Sequence, residues 1–176
     1  MKLNLGCGNK KRKGYLNCDI SEEVHPDKII DLRKRLPFKE DSIEEVYLSH
    51  ILEHFLEPLR ILKEIYRVCE NSAKVIIRVP FFSHESAFSM LDHKHFFSWT
   101  SFDALEKGHK CHWQSVGNFR ILRKKLIWRK SLKIFEIFFN ITPFFTRVYQ
   151  EFFCWIFPAK EVYIELEVIK EGYGKD

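Results

Sequence analysis

Apolar residues fall in short runs along the first eighty positions, each closed by glycine, aspartate or proline. Lys2–Leu5 ends in Gly6-Cys7-Gly8, while Tyr15–Asp19 and Lys28–Leu32 each carry an aspartate at or near the end. Glu44–Leu48 and Ala73–Val79, the latter closed by Pro80, complete five strand candidates. Between these last two, Ile51, Leu52, Phe55, Leu56, Leu59, Leu62, Ile65 and Tyr66 recur at helical spacing. Pro58 suits a first turn, which predicts a short turn over 51–56 and a helix from about 58 to 70. Thr100-Ser-Phe-Asp103 reads as a further helix start, with Thr100 as its cap. Asn118–Trp128 and Glu161–Lys170 read as two longer strands. In the second, Val162, Ile164, Leu166 and Val168 alternate with Glu161, Tyr163, Glu165 and Glu167, as one buried face requires.

Strands alternating with helices predict an α/β fold, a doubly wound, mostly parallel Rossmann-like sheet with covered faces. The last two strands are expected to pair antiparallel at one edge. Only six residues separate Gly8 from Tyr15, too few for a crossover helix, so the first helix is expected to shrink to a turn. The whole chain, 1–176, reads as a single domain. Ser131–Pro158 stands apart within it, since eight of the seventeen phenylalanines lie there. That density predicts two amphipathic helices inserted between the last strands, with Thr142-Pro143 starting the second. Three roles stay open for the insert: a lid packed on the sheet, a homodimer interface, or a peripheral membrane contact.

Composition narrows the class. A hydrophobic fraction of 45% with 30% charged residues is that of a globule, not of a disordered chain. The net charge of +5 permits an anionic partner without demanding one. The basic runs Lys10–Lys13 and Arg123–Lys133 are more simply read as solvated surface, so nucleic acid is not the expected partner. Five widely spaced cysteines without a Cys-x-x-Cys pair argue against a disulfide framework and a structural zinc site. Met1 leads straight into an apolar run, and no uncharged apolar stretch approaches eighteen residues. The expected location is cytoplasmic, with peripheral membrane contact left open through the insert.

The chemistry begins at the first loop. Gly6 and Gly8 let the backbone turn tightly and approach a ligand, although a strand end with two glycines is often only a turn. The third glycine of the dinucleotide fingerprint is replaced by Lys11, which disfavours a nicotinamide oxidoreductase. Asp19 stands where an acid can accept both hydroxyls of an adenosyl ribose, and Asp31 where one can receive an adenine amine. The plainer readings are a solvated capping acid and a turn aspartate.

In order, LNLGCG, YLNCDI, DLRKRLPFKEDSIEEVYLSHILEHF and LKEIYRVCENSAKVIIRVP resemble the class I S-adenosylmethionine-dependent methyltransferases. The match covers roughly residues 1–110 and is closest to the small methyltransferase-domain group. The resemblance implies S-adenosylmethionine as cofactor. It places Gly6, Cys7 and Gly8 at the amino-acid part, Asp19 at the ribose, Asp31 and Leu32 beside the adenine, and Ser49 and His50 on the methionine side. The chain departs from the family in carrying Glu70-Asn-Ser-Ala where Pro-Gly-Gly is usual, and in starting at the first strand without a preceding helix.

A methyl acceptor often needs a base, and histidine has the suitable ordinary pKa. His50 and His54 follow the fourth strand; His84, His93 and His95 follow the fifth. His50, His84 and His93 are taken as the catalytic candidates, against the plain reading of each as a surface histidine. His50, Glu53, His54, Asp92, His93 and His95 have the donor chemistry of a metal site, but no known ligand pattern completes it, and no metal is assigned. His109-Lys-Cys-His112 reads as exposed loop. Ser49-His-Ile-Leu occupies the place where base-amino methyltransferases carry Asn/Asp-Pro-Pro-aromatic. The expectation is methyl transfer to an oxygen or nitrogen of a small-molecule or glycan-like acceptor. The alternatives are a nonenzymatic adenosyl-nucleotide-binding or partner-binding module and, less favoured, an NAD-dependent oxidoreductase.

Overall fold

The computed structural model describes residues 1–111 and 116–170. Seven strands form one sheet in the order β3-β2-β1-β4-β5-β7-β6: β1 (Lys2–Leu5), β2 (Leu16–Asp19), β3 (Lys28–Ile29), β4 (Ile43–Ser49), β5 (Cys69–Pro80), β6 (Phe119–Ile127) and β7 (Glu161–Val168). The first five are parallel, and β7 runs antiparallel to both β5 and β6. This is the expected α/β sheet with an antiparallel edge. Helix α1 (Pro58–Val68) opens on Pro58 and buries Ile61, Leu62, Ile65 and Val68. They join Leu3, Leu5, Val46, Leu48, Val75, Ile77, Ile164 and Leu166 in one core.

Three elements differ from the sequence reading. The third strand stops at Ile29, two residues long, so Asp31 and Leu32 sit in the loop beyond it. The fifth begins at Cys69, directly off α1; Ser72 takes a left-handed φ of 64° where the register to β4 slips. Thr100 caps no α-helix. Asp103–Leu105 is a single 3-10 turn capped by Phe102 without a side-chain bond, and the Thr100 hydroxyl meets Ser98 Oγ at 3.1 Å instead. Of His109–His112, His112 lies outside the described residues.

The first connection carries no helix, and two buried asparagines show how the chain manages without one. Asn4 Nδ2 donates to Asn17 Oδ1 at 2.9 Å and to the Lys10 carbonyl at 3.1 Å. Asn17 Oδ1 accepts the Arg12 amide at 2.7 Å, and Asn17 Nδ2 reaches the Tyr15 carbonyl and Asp27. Arg12 then lays its guanidinium over the Tyr47 ring at 3.9 Å and near Tyr15 at 4.9 Å. Side chains therefore cover sheet surface that helices usually cover in parallel sheets. On this face Glu45, Tyr47, Arg78, Tyr163 and Glu165 stay half-buried, so the expectation of fully covered faces holds on the α1 side only.

The insert between β6 and β7 folds as α2 (Lys133–Phe139) and α3 (Pro143–Val148), followed by a π-helical turn over Tyr149–Phe153. The Thr142 hydroxyl accepts the Phe145 amide, the cap expected of Thr142-Pro143. Phe139, Tyr149 and Cys154 enter the main core, whereas Ile134, Ile137, Phe144, Phe152, Trp155 and Ile156 face outward. No helix among the described residues is long and apolar enough to cross a membrane.

Candidate active site

Ligands of open parallel sheets bind beyond the carboxyl ends of the strands. There a cavity of about 350 Å³ is lined by Gly6, Asp19, Ile20, Ile30, Asp31, Leu32, Arg33, Ile51, His54, Phe55 and Asp92. Gly6 has φ of 65°, and a Cβ there would come within 2.6 Å of Ile51, so only glycine fits between the loop and the cleft wall. Asp19 ends β2 with its carboxylate held by two amides, Gly8 N–H to Oδ2 at 2.8 Å and Ser21 N–H to Oδ1 at 3.1 Å. Each oxygen keeps a further lone pair for a ligand.

Asp31 is gripped by Arg33 through Nε at 2.9 Å and Nη2 at 3.0 Å, and Arg33 holds its carboxyl below the usual range. The loop bearing this pair is tied to α1. Glu64 accepts the Leu36 amide at 3.0 Å, and Arg67 donates to the carbonyls of Leu36 and Phe38. A second cavity of about 470 Å³ shares Leu32, Arg33, His54 and Phe55 with the first and adds Leu56, Glu57, Arg60, Ile61 and Lys94.

Gly6, Asp19, Asp31 and Leu32 thus line one cavity. Cys7 and Gly8 flank Gly6 on the same loop; Cys7 is buried, its amide bonded to the Cys18 carbonyl at 3.0 Å and its thiol pushed up by burial. Ser49 ends β4 and His50 follows it, and neither lines either cavity. His50 takes a left-handed φ of 56° and stands between two acids, Nε2 3.3 Å from Glu161 and Nδ1 3.5 Å from Glu53. Glu161 and Glu53 together raise its pKa to about 9. His84 is buried, and burial lowers its pKa; its Nδ1 accepts the Ser86 amide at 3.1 Å, which leaves its proton on Nε2.

The loops after β4 and β5 are stitched together. The Glu53 carbonyl accepts the amides of Lys94 at 2.7 Å and His95 at 3.3 Å. His54 Nδ1 meets Asp92 Oδ2 at 2.9 Å, and the rings of His54 and His93 pack edge to face at 4.7 Å. His93 Nδ1 donates to the Ala87 carbonyl at 2.8 Å, which leaves Nε2 with a lone pair. His95 Nε2 reaches the Leu56 carbonyl. Glu53 is buried among them with neither carboxylate oxygen hydrogen-bonded among the described residues. Sequence reasoning passed over Ile20, Ile51, Phe55 and Arg33 as cleft residues. Only Ile20, an exposed apolar residue directly after Asp19, offered a local signal.

Residues 3–77 match the model of a methyltransferase domain. The chain carries the fold of the class I S-adenosylmethionine-dependent methyltransferases. A SAM-dependent methyltransferase from Archaeoglobus fulgidus superposes with a TM-score of 0.66 at 16% identity, covering 94% of this chain and 85% of that one. A Haloferax volcanii methyltransferase in complex with its Trm112 activator gives 0.64 at 15% identity, over 96% and 82%. The [4+2]-cyclase SpnF gives 0.61 at 12% identity, over 96% and 75%. No curated protein matches the sequence significantly. The cleft of this methyltransferase fold suits the group the fold implies: a glycine at close approach, an oriented carboxylate at the end of β2, and an apolar wall of Ile20, Ile30 and Ile51.

Proposed function

We propose that this chain moves a methyl group from S-adenosylmethionine to an oxygen or nitrogen of a small-molecule or glycan-like acceptor. The observation that carries the reading is Asp19, a cleft carboxylate oriented by the Gly8 and Ser21 amides beside Gly6. In this reading Gly6, Cys7 and Gly8 receive the amino-acid portion, and Asp19 takes the ribose hydroxyls. Asp31 and Leu32 border the adenine, and Ser49 and His50 back the methionine side. When bound, the cofactor supplies an electrophilic methyl on sulfur. The chain's own work is to align the acceptor and find a place for its proton.

Of the three histidine candidates, geometry favours His93. Its Nε2 lone pair is free beside His54, whereas the Nδ1 lone pair of His84 is used by Ser86 and the His50 ring is held between two acids. The acceptor would lie in the second cavity, where Arg33, Arg60 and Lys94 against Glu57 suit a molecule carrying a carboxylate or phosphate. The superposable cyclase shows that this fold also hosts other chemistry, so the donor has to be tested directly.

Calorimetric titration with S-adenosylhomocysteine decides it, with NAD in parallel. Binding on the order of micromolar is expected, and Asp19→Ala should weaken it about tenfold or more, the loss of two charge-assisted bonds. Asp19→Asn, with one acceptor oxygen left, should fall between. Equal affinity in parent and Asp19→Ala would remove the pocket assignment.

A further inference from the structure

We infer that Glu53, His54 and His93 bind one divalent transition-metal ion, zinc by the chemistry of the set, at the rim of the cleft. One carboxylate oxygen of Glu53 and one ring nitrogen from each histidine lie within 4.8 Å of one another. Spacing along the chain could not show this, because His54 and His93 meet only when the loops after β4 and β5 are stitched together.

Both histidines are already set as ligands. His54 donates Nδ1–H to Asp92 and His93 donates Nδ1–H to the Ala87 carbonyl. A carboxylate or backbone carbonyl on the far nitrogen is what fixes tautomer and ring orientation in metal-binding histidines, with Nε2 left as the ligand atom. Glu53 is the second, independent sign. Its side chain is 1% exposed, and neither oxygen has a hydrogen-bond partner among the described residues. A buried carboxylate without a hydrogen bond is costly, and the His50 ring faces it at 3.5 Å. A cation bound here supplies the direct bond that its oxygens lack.

Two imidazoles and one carboxylate match a zinc set of three protein ligands with one position open. Magnesium, which prefers oxygen ligands and retains water, fits the set less well. Bonds of about 2.0–2.1 Å bring tetrahedral ligands to about 3.4 Å apart, so the three side chains converge by small rotamer adjustments on binding. His54 lines both cavities, which turns the open position toward the acceptor side. The use of the ion, though not its binding, rests on the methyl-transfer reading: an acceptor hydroxyl at the open position would lose its proton more readily, and His93 would then act as ligand instead of base.

The test titrates chelator-treated, dialysed protein with cobalt(II) chloride, following visible absorption, and then adds zinc chloride. One equivalent of cobalt is expected to bind with the intense bands of a four-coordinate site and to be displaced by zinc. Glu53→Gln and His93→Gln should each weaken binding at least tenfold. His25→Asn, at an exposed turn elsewhere, should not change it. Circular dichroism checks the fold, and Glu53→Gln, which removes a buried charge that accepts no hydrogen bond, should melt close to the metal-free parent while losing the rise in Tm that zinc gives the parent. A folded parent that binds no cobalt, or variants that bind it undiminished, overturns the site. S-adenosylhomocysteine binding measured on the chelated protein reads the donor pocket separately, so metal without that ligand refutes the methyl-transfer reading alone, and the reverse refutes the metal site alone.

Discussion

Gly6 and Gly8 look alike in the sequence, yet they constrain different things. A side chain at Gly6 would collide with Ile51 within the protein itself. At Gly8, with φ of 48°, a Cβ meets nothing within 4 Å, and the position adds only its amide bond to Asp19. A Gly8→Ala chain should therefore fold cooperatively, less stable by about 1–2 kcal/mol of left-handed backbone strain. If the space beside Gly8 belongs to the methyl donor, the same variant should bind S-adenosylhomocysteine at least tenfold more weakly. Urea unfolding and calorimetry on one preparation separate the two effects, and unchanged affinity would mean the loop is not the cradle. His50 accepts a comparable backbone strain at φ of 56° with an ordinary side chain, and its ring stands between Glu53 and Glu161.

At the scale of elements, the aromatic insert is bound into the sheet by one residue above others. Tyr149 is fully buried, donates its hydroxyl to the Phe157 carbonyl at 2.9 Å and accepts the Ala159 amide at 2.6 Å. Its ring meets Trp128, Phe139 and Phe81 at 4.9, 4.8 and 6.1 Å between centroids. Tyr149→Phe strands the Ala159 amide, while the Phe157 carbonyl keeps the Trp128 indole N–H, and should cost about 1–3 kcal/mol, and Tyr149→Ala about 3–5 kcal/mol. Because the contacts join insert to core, a single unfolding transition should shift as a whole by circular dichroism. A separate early transition, with the main one unmoved, would show that the insert unfolds on its own. Other apolar residues of the insert, Phe144, Phe152 and Trp155 among them, face outward, so the apolar character that marked the segment in the sequence divides into two unequal uses.

Across the whole molecule, Glu161 links the parallel sheet to its antiparallel edge. It begins β7, lies buried, and faces Arg78 of β5, His50 after β4 and Lys160 beside it. Burial alone would raise its pKa, but His50 and Arg78 outweigh burial and hold it down to about 2. A carboxyl depressed from the ordinary value near 4.3 stabilises the fold above that value and loses the contribution as pH falls toward 2. Stability should therefore drop between about pH 4.5 and 2, by an amount on the order of 3 kcal/mol from this group. Glu161→Gln should be less stable than the parent at pH 6, with the gap closing toward pH 2. Urea midpoints at a series of pH values check it, and a gap that does not narrow would place the acid sensitivity elsewhere.

The sequence by itself determined the strands, helix α1, the antiparallel pair and the loop from Gly6 to Gly8, because alternation, helical spacing and strand-end glycines are local patterns. Asp19 was legible for the same reason, as an acid at a strand end. It did not determine the outcome at Thr100, whose hydroxyl meets Ser98 instead of capping a helix. Nor did it reveal that Asn4, Asn17 and Arg12 stand in for the missing crossover helix, since their partners come from β4 and from the loop before β3. Glu53, His54 and His93 were among six donors grouped from the sequence, but which three converge was equally out of reach. Those residues meet through amide bonds from Lys94 and His95 to the Glu53 carbonyl, contacts between distant stretches that no periodicity encodes and only the closed sheet brings within reach.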